Sequence, residues 1–177
     1  MMPALLALGY SVNTVKEDEI AAAKAQLIET KKTLLAYDDT TFYTKLVAGE
    51  ASLVEAWDGW CNYGIAENAA IKYVVPKEGS DMWVDTMVVT SASENKEAAE
   101  AFINYILKPE VHRWVAENIL YKVPNKAAMD ALDPKLIAQY PNLGITPAEL
   151  LKYEQLRDLG DGQKLWSKTV TEITSSN

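Results

Sequence analysis

Two hydrophobic rhythms take turns along the first half of the chain. Thr14 and Glu17 have capping-box separation, and Ile20, Ala23 and Leu27 then recur on one face, which predicts a helix to about Lys32. The apolar stretch from Met1 to Leu8 reads as the end of an earlier helix. Thr33 to Tyr37 is short and β-prone, and Phe42, Leu46 and Val47 fit a helix over 38–48 that Gly49 closes. Ala51 to Trp57 alternates as a strand does, 59–68 returns to helix, and Ile71 to Val75 is a strand that Pro76 stops. Val84 to Thr90 reads as one more strand. This alternation predicts an α/β sheet with flanking helices, in which ligands sit beyond the carboxyl ends of strands. Trp57 and Asp58 lie at such an end.

Past residue 90 the rhythm is helical. Ser93 to Leu107 predicts an amphipathic helix with Ala98, Phe102, Ile103, Tyr105 and Ile106 placed for burial, broken at Lys108-Pro109. Glu110 to Ile119 follows with Val111, Trp114 and Val115. Asp133-Pro134 and Thr146-Pro147-Ala148-Glu149 read as helix starts, the second with an N-cap Thr, Pro at the first position and Glu at the third. The last helix, roughly 161–173, carries Leu165, Trp166 and Val170. No internal repeat and no Gly-rich phosphate loop interrupts the pattern, so nucleotide binding has no support.

Composition narrows the classes. Seventeen basic residues against twenty-five acidic ones leave a formal charge of −8, which disfavours a nucleic-acid partner and is compatible with a cationic ligand without selecting one. Hydrophobic content of 49% is that of a globular chain. The one cysteine, Cys61, forbids an intrachain disulfide and reads as a small core residue. No run approaches the roughly twenty apolar residues of a membrane span. The apolar N-terminus has no Lys or Arg before it and is short for an export signal.

Enzyme chemistry finds little to stand on. His112, the one histidine, sits inside a helix beside Arg113 without a nucleophile or metal-ligand partner at useful spacing, and is expected to be exposed. Glu55 and Asp58 flank Trp57, but residues three apart on a strand entering a turn point to opposite sides, so they make a poor glycosidase pair. No catalytic residue, metal or cofactor is expected.

Binding chemistry is better represented. In the run Pro76-Lys77-Glu78-Gly79-Ser80-Asp81-Met82-Trp83-Val84-Asp85, an indole and a carboxylate stand two apart after a turn, and on a strand both would face one space. An aromatic wall beside one negative charge is what a small organic cation needs, because the ring face attracts the cation and the carboxylate accepts its N–H groups. The same spelling also fits an ordinary strand with a buried Trp and a turn-side Asp. Trp57, Trp83 and Tyr121 all fall at element boundaries, where binding residues concentrate, whereas Trp114 and Trp166 fall mid-helix and are expected in the core.

These motifs, with Leu8-Gly9-Tyr10-Ser11, Trp57-Asp58-Gly59, the Asn95 to Ala99 helix start, Ile103 to Val111, Tyr121-Lys122-Val123-Pro124-Asn125 and Asp158-Leu159-Gly160, occur in an order and spacing that resembles the polyamine (spermidine/putrescine) solute-binding proteins of bacterial ABC importers. The resemblance runs over nearly the whole chain. It implies the C-terminal part of a two-lobe, type II periplasmic binding protein, with 1–84 and 122–177 in the C-terminal lobe and 85–121 crossing into an N-terminal lobe that this chain lacks. It also implies that Trp57 and Trp83 stack on the methylenes of a polyamine, that Asp85 pairs with an ammonium and that Tyr121 hydrogen-bonds beside it. An ABC permease partner and a periplasmic location follow from the same resemblance. Residues 86–120, without their sheet, are expected to be covered by self-association, and binding is expected to be weaker than in a complete clamp. Two other readings remain open: a lobe remnant that serves only assembly, and a binding protein for another small solute.

Overall fold

The computed structural model describes residues 1–176. Its elements in order are helices α1 (Met2–Ala7), α2 (Glu17–Thr30), α3 (Phe42–Val47) and α4 (Asp58–Glu67), strand β1 (Asp81–Met82), helices α5 (Lys96–Ile106), α6 (Pro109–Ile119), α7 (Lys126–Asp130), α8 (Pro134–Gln139) and α9 (Pro147–Leu150), strand β2 (Glu154–Gln155) and helix α10 (Gly162–Ser175). Two compact units share them: residues 1–40, 74–83 and 146–176 make the first, and 41–73 with 84–145 the second.

In the first unit, α1, α2 and α10 surround a small core of Ala4, Leu5 and Ala23, flanked by Tyr10, Leu27 and Trp166. Alanines at the closest points let backbones approach while the longer side chains close the gaps around them. Trp166 also donates its indole N–H to the Thr14 carbonyl at 2.8 Å, which satisfies its one polar atom. β1 and β2 pair in parallel, Asp81 with Glu154 and Met82 with Gln155. Glu154 ties that pair to the chain between α1 and α2, accepting from Ser11 Oγ at 2.5 Å, the Val12 N–H at 2.9 Å and Asn13 Nδ2 at 2.8 Å. These three bonds favour the ionised carboxylate and hold Glu154 below its ordinary range.

The second unit is helical among the described residues. One cluster joins Cys61 and Ile65 of α4 to Ile71, Leu120, Tyr140 and Leu143. Another packs Ala116 of α6 on Ala128 of α7, with Val123 and Leu132 beside them.

Most helix positions agree with the sequence reading, in which α7 has no counterpart, and at α9 the capping box is complete: Thr146 Oγ1 accepts from the Glu149 N–H while Glu149 accepts from the Thr146 N–H. Thr14 makes no such box; α2 starts after Lys16, with Glu17, Asp18 and Glu19 in its first turn. The strands differ more. Residues 34–37, 51–57, 71–75 and 84–90 join no ladder among the described residues. Alternation says which face of a strand would be buried but supplies no partner, and Leu53, on one of these segments, is 91% exposed.

The buried faces of two helices also differ from expectation. α5 buries none of its residues, and Phe102 is 58% exposed. On α6 the buried positions are His112 and Ala116, while Trp114 is exposed. His112 is therefore a core residue, not a surface one; its Nδ1 has no hydrogen-bond partner among the described atoms, and burial holds the ring below its ordinary pKa.

Candidate functional site

The start of α4 is where the second unit collects its polar and aromatic side chains. Trp57 is the residue before the helix and Asp58 opens it, a position where a negative charge meets the exposed N–H groups of the first turn. Phe42 of α3 is buried and props two indoles, its ring centroid lying 5.9 Å from those of both Trp57 and Trp60. Tyr43 and Tyr63 extend the cluster from Trp60, at 5.1 and 5.5 Å. Tilted and edge-on contacts of this kind are each worth roughly 0.5–1.5 kcal/mol beyond burial, enough to fix the rings as a wall. Trp57 stays 45% exposed despite that support.

Tyr121 reaches the same helix end. Its ring lies directly over Gly59, where a Cβ would overlap three of the ring carbons, so glycine is required by close approach. The residue before it, Leu120, has φ 58°, a left-handed conformation that costs a branched side chain energy and must be held by its surroundings. The holding comes from α4: Asn62 Nδ2 donates to the Leu120 carbonyl at 2.8 Å in the interior, and Tyr63 donates its hydroxyl to the Ile119 carbonyl at 2.9 Å. Tyr121 thus sits where the strained turn and the glycine put it.

Its phenol is pushed up to about 12, first by burial and next by the negative charge of Asp58, with Tyr63 and Asp85 adding smaller contributions and a hydrogen bond from the Trp60 backbone N–H opposing them. The hydroxyl therefore keeps its proton at any physiological pH, and offers both a donor and an acceptor. Asp58 also raises the buried Cys61 thiol, after burial itself, which makes Cys61 an unreactive core residue. Asn142 Nδ2 lies 3.5 Å from Asp58.

Of the four residues singled out by sequence, Trp57 and Tyr121 come together at α4. Asp85 belongs to the same unit and its charge reaches the Tyr121 hydroxyl, yet its side chain is exposed. Trp83 lies in the first unit directly after β1 and is 37% exposed. The ladder stops at Met82, so the face-sharing of Trp83 and Asp85 argued from strand alternation has no strand to rest on. Sequence reasoning did not single out Asn62 and Asn142 and named Gly59 only within the Trp57-Asp58-Gly59 motif; the importance of all three comes from contacts distant in sequence. Among the described residues no group of acidic, His or Cys side chains could hold a metal ion, and no helix is long and apolar enough to cross a membrane.

Residues 4–143 match the family of bacterial extracellular solute-binding proteins. The chain is 32% identical over 165 residues to the spermidine/putrescine-binding periplasmic protein of Salmonella typhimurium, covering 93% of this chain and 47% of that protein. To the protein of the same name from Escherichia coli K12 it is 35% identical over 133 residues, which is 75% of this chain and 38% of that one. Among solved structures it superimposes with a TM-score of 0.84 on a spermidine/putrescine ABC transporter chain from Listeria monocytogenes, at 27% identity, over 97% of this chain and 53% of the other. The chain thus spans about half the length of these relatives, and its fold is that of about half of such a binding protein.

Proposed function

We propose that this chain, which belongs to the bacterial extracellular solute-binding protein family, carries part of a polyamine-binding face for an ABC importer and binds putrescine or spermidine more weakly than a complete clamp. The observation that carries the reading is the assembly at α4: an indole held by Phe42, a phenol that keeps its proton and a carboxylate, all at one helix end. A polyamine alternates ammonium groups with apolar methylenes. An aromatic wall with acid groups beside it repeats that alternation, the ring faces taking the methylenes and the oxygens taking the N–H groups. In this reading Trp57 and Trp83 stack, Asp85 pairs with an ammonium and Tyr121 hydrogen-bonds next to it. Weak affinity follows from exposure, because an ion pair at 4 Å is worth about 1 kcal/mol in water and about 4 kcal/mol at the effective dielectric of a protein surface. A permease partner and a periplasmic location belong to the same proposal, supported by the periplasmic relatives.

The lobe assignment goes with it: 1–84 and 122–177 as C-terminal lobe, 85–121 as a crossing segment of the other lobe. That partition refers to a longer protein and is distinct from the contact-defined units. Titration calorimetry with putrescine and spermidine tests the reading. Saturable heat that Asp85→Ala abolishes is the expected result, and heat unchanged by that substitution would overturn the role of Asp85.

One observation favours a second reading. α5 leaves Phe102 and Tyr105 exposed, as the segment before it does Val88, which suits a chain that covers residues 86–120 by self-association. A remnant that only assembles would give no heat with either polyamine.

A further inference from the structure

Helix α5 carries two adjacent apolar stripes, and the chain covers only one of them. Ala99, Ile103 and Ile106, spaced four and three apart, are half-buried. Ala98, Ala101, Phe102 and Tyr105 recur at helical spacing beside them and are all exposed, Phe102 at 58% and Tyr105 at 53%. Two alanines with two rings suit a helix–helix contact: the small residues let the axes approach to roughly 8–10 Å while the rings fill the space beside them.

Charge says which helix fits there. Glu97 stands in the first turn of α5 and Lys108 just past its end, a separation close to three turns that sets both along one edge of the exposed stripe. The Lys108 N–H bonds the Tyr105 carbonyl at 3.2 Å, so the turn carries on to it, and its ammonium lies 5.5 Å from the centre of the Tyr105 ring. Both side chains are exposed, and neither has an ion-pair partner among the described residues. A stripe with an acid at one end and a base at the other is complementary to itself when reversed. Parallel pairing would set Glu97 against Glu97 and Lys108 against Lys108. Antiparallel pairing about a twofold axis level with Phe102 and Ile103 sets Glu97 of each copy against Lys108 of the other, and opposes the helix dipoles as well.

We propose that α5 packs antiparallel on α5 of a second copy of this chain, with Ala98, Ala101, Phe102 and Tyr105 at the seam and two Glu97–Lys108 ion pairs along its edge. This rests on the self-association reading and deepens it by naming the surface and the orientation. Exposed ion pairs add little affinity, but they decide orientation, because the parallel arrangement turns each one into a repulsion.

Sedimentation velocity at micromolar concentrations tests the pairing on the full chain, on Glu97→Lys, on Lys108→Glu and on an equimolar mixture of the two variants, with circular dichroism melts to confirm that each is folded. The unsubstituted chain should dimerise, and each reversal, which sets like charges together at both ends of the seam, should weaken the dimer by at least about fivefold. The mixture should recover to within about twofold of the unsubstituted chain, because opposite charges meet again only when one variant pairs with the other. A folding defect could not be repaired by mixing. If both variants dimerise as the unsubstituted chain does, the inference is overturned and self-association stands through another surface. Weakening without recovery in the mixture overturns the antiparallel pairing. An unsubstituted chain that stays monomeric ends both the inference and the self-association reading, and leaves the polyamine reading in place.

Discussion

Leu120 decides where Tyr121 points. Its left-handed φ of 58° is tolerated because Asn62 reaches its carbonyl from inside α4, and that bond is fully buried. Removing the donor leaves the carbonyl without a partner, so Asn62→Ala should lower stability by about 1–3 kcal/mol in urea unfolding. It should also let Tyr121 leave Gly59 and ionise at lower pH than about 12, read by ultraviolet titration with Tyr121→Phe to assign the phase. An unchanged high-pH phase would show that the turn holds itself.

His112 gives a second prediction at this scale. Its folded pKa lies below the ordinary 6.5, so between the two values the unfolded chain binds a proton that the folded chain does not. Unfolding then takes up a proton, and stability falls as pH drops below about 6.5. Denaturant midpoints measured from pH 8 to pH 5 should slope downward, and His112→Leu should flatten the slope. The sequence reading expects the one histidine on the surface, because it sits in a helix beside Arg113 with no partner at useful spacing. Packing chose otherwise: Ala116 and Ala128 are small enough to bring α6 and α7 together, and that contact carries His112 inward while Trp114 stays out.

At the scale of elements, the helices were legible because their signals are local. Thr146 and Glu149 build a box from four consecutive positions, and Gly49 closes α3 with a positive φ. Strands need a neighbour, which alternation cannot provide, and so the strands that alternation predicts over Ala51 to Trp57 and Val84 to Thr90 join no ladder among the described residues. The pairing that does occur, β1 with β2, joins residues more than seventy apart and is held by Glu154. That latch should fail in acid. Glu154 is held below its ordinary 4.5, so its contribution is complete above that value and is lost as pH falls through the lower folded pKa. Glu154→Gln should lower the neutral-pH unfolding midpoint and weaken the acid dependence below pH 4.5. If the variant keeps the full acid limb, some other carboxylate provides it.

For the molecule as a whole, the candidate site was legible in its residue types more than in its geometry. Residue types at element boundaries mark Trp57 and Tyr121, which both lie at the start of α4, but no spacing rule could show that Gly59 makes room for a ring sixty-two residues away. Exposed apolar side chains on α5 and in 84–90 are the other property of this scale. Light scattering at micromolar concentration should give a mass above that of one chain, decreased by Phe102→Glu, and a clean monomer would remove the case for self-association.

The central claim is that Trp57 forms part of a polyamine-binding wall. Indole N–H resonances of the five tryptophans, followed by NMR during titration with putrescine and assigned by single Trp→Phe variants, test it most directly. The Trp57 signal should move along a saturable curve while that of Trp166, tied to the Thr14 carbonyl, stays in place. A Trp57 signal that does not move, or moves only in step with Trp166, would contradict the claim.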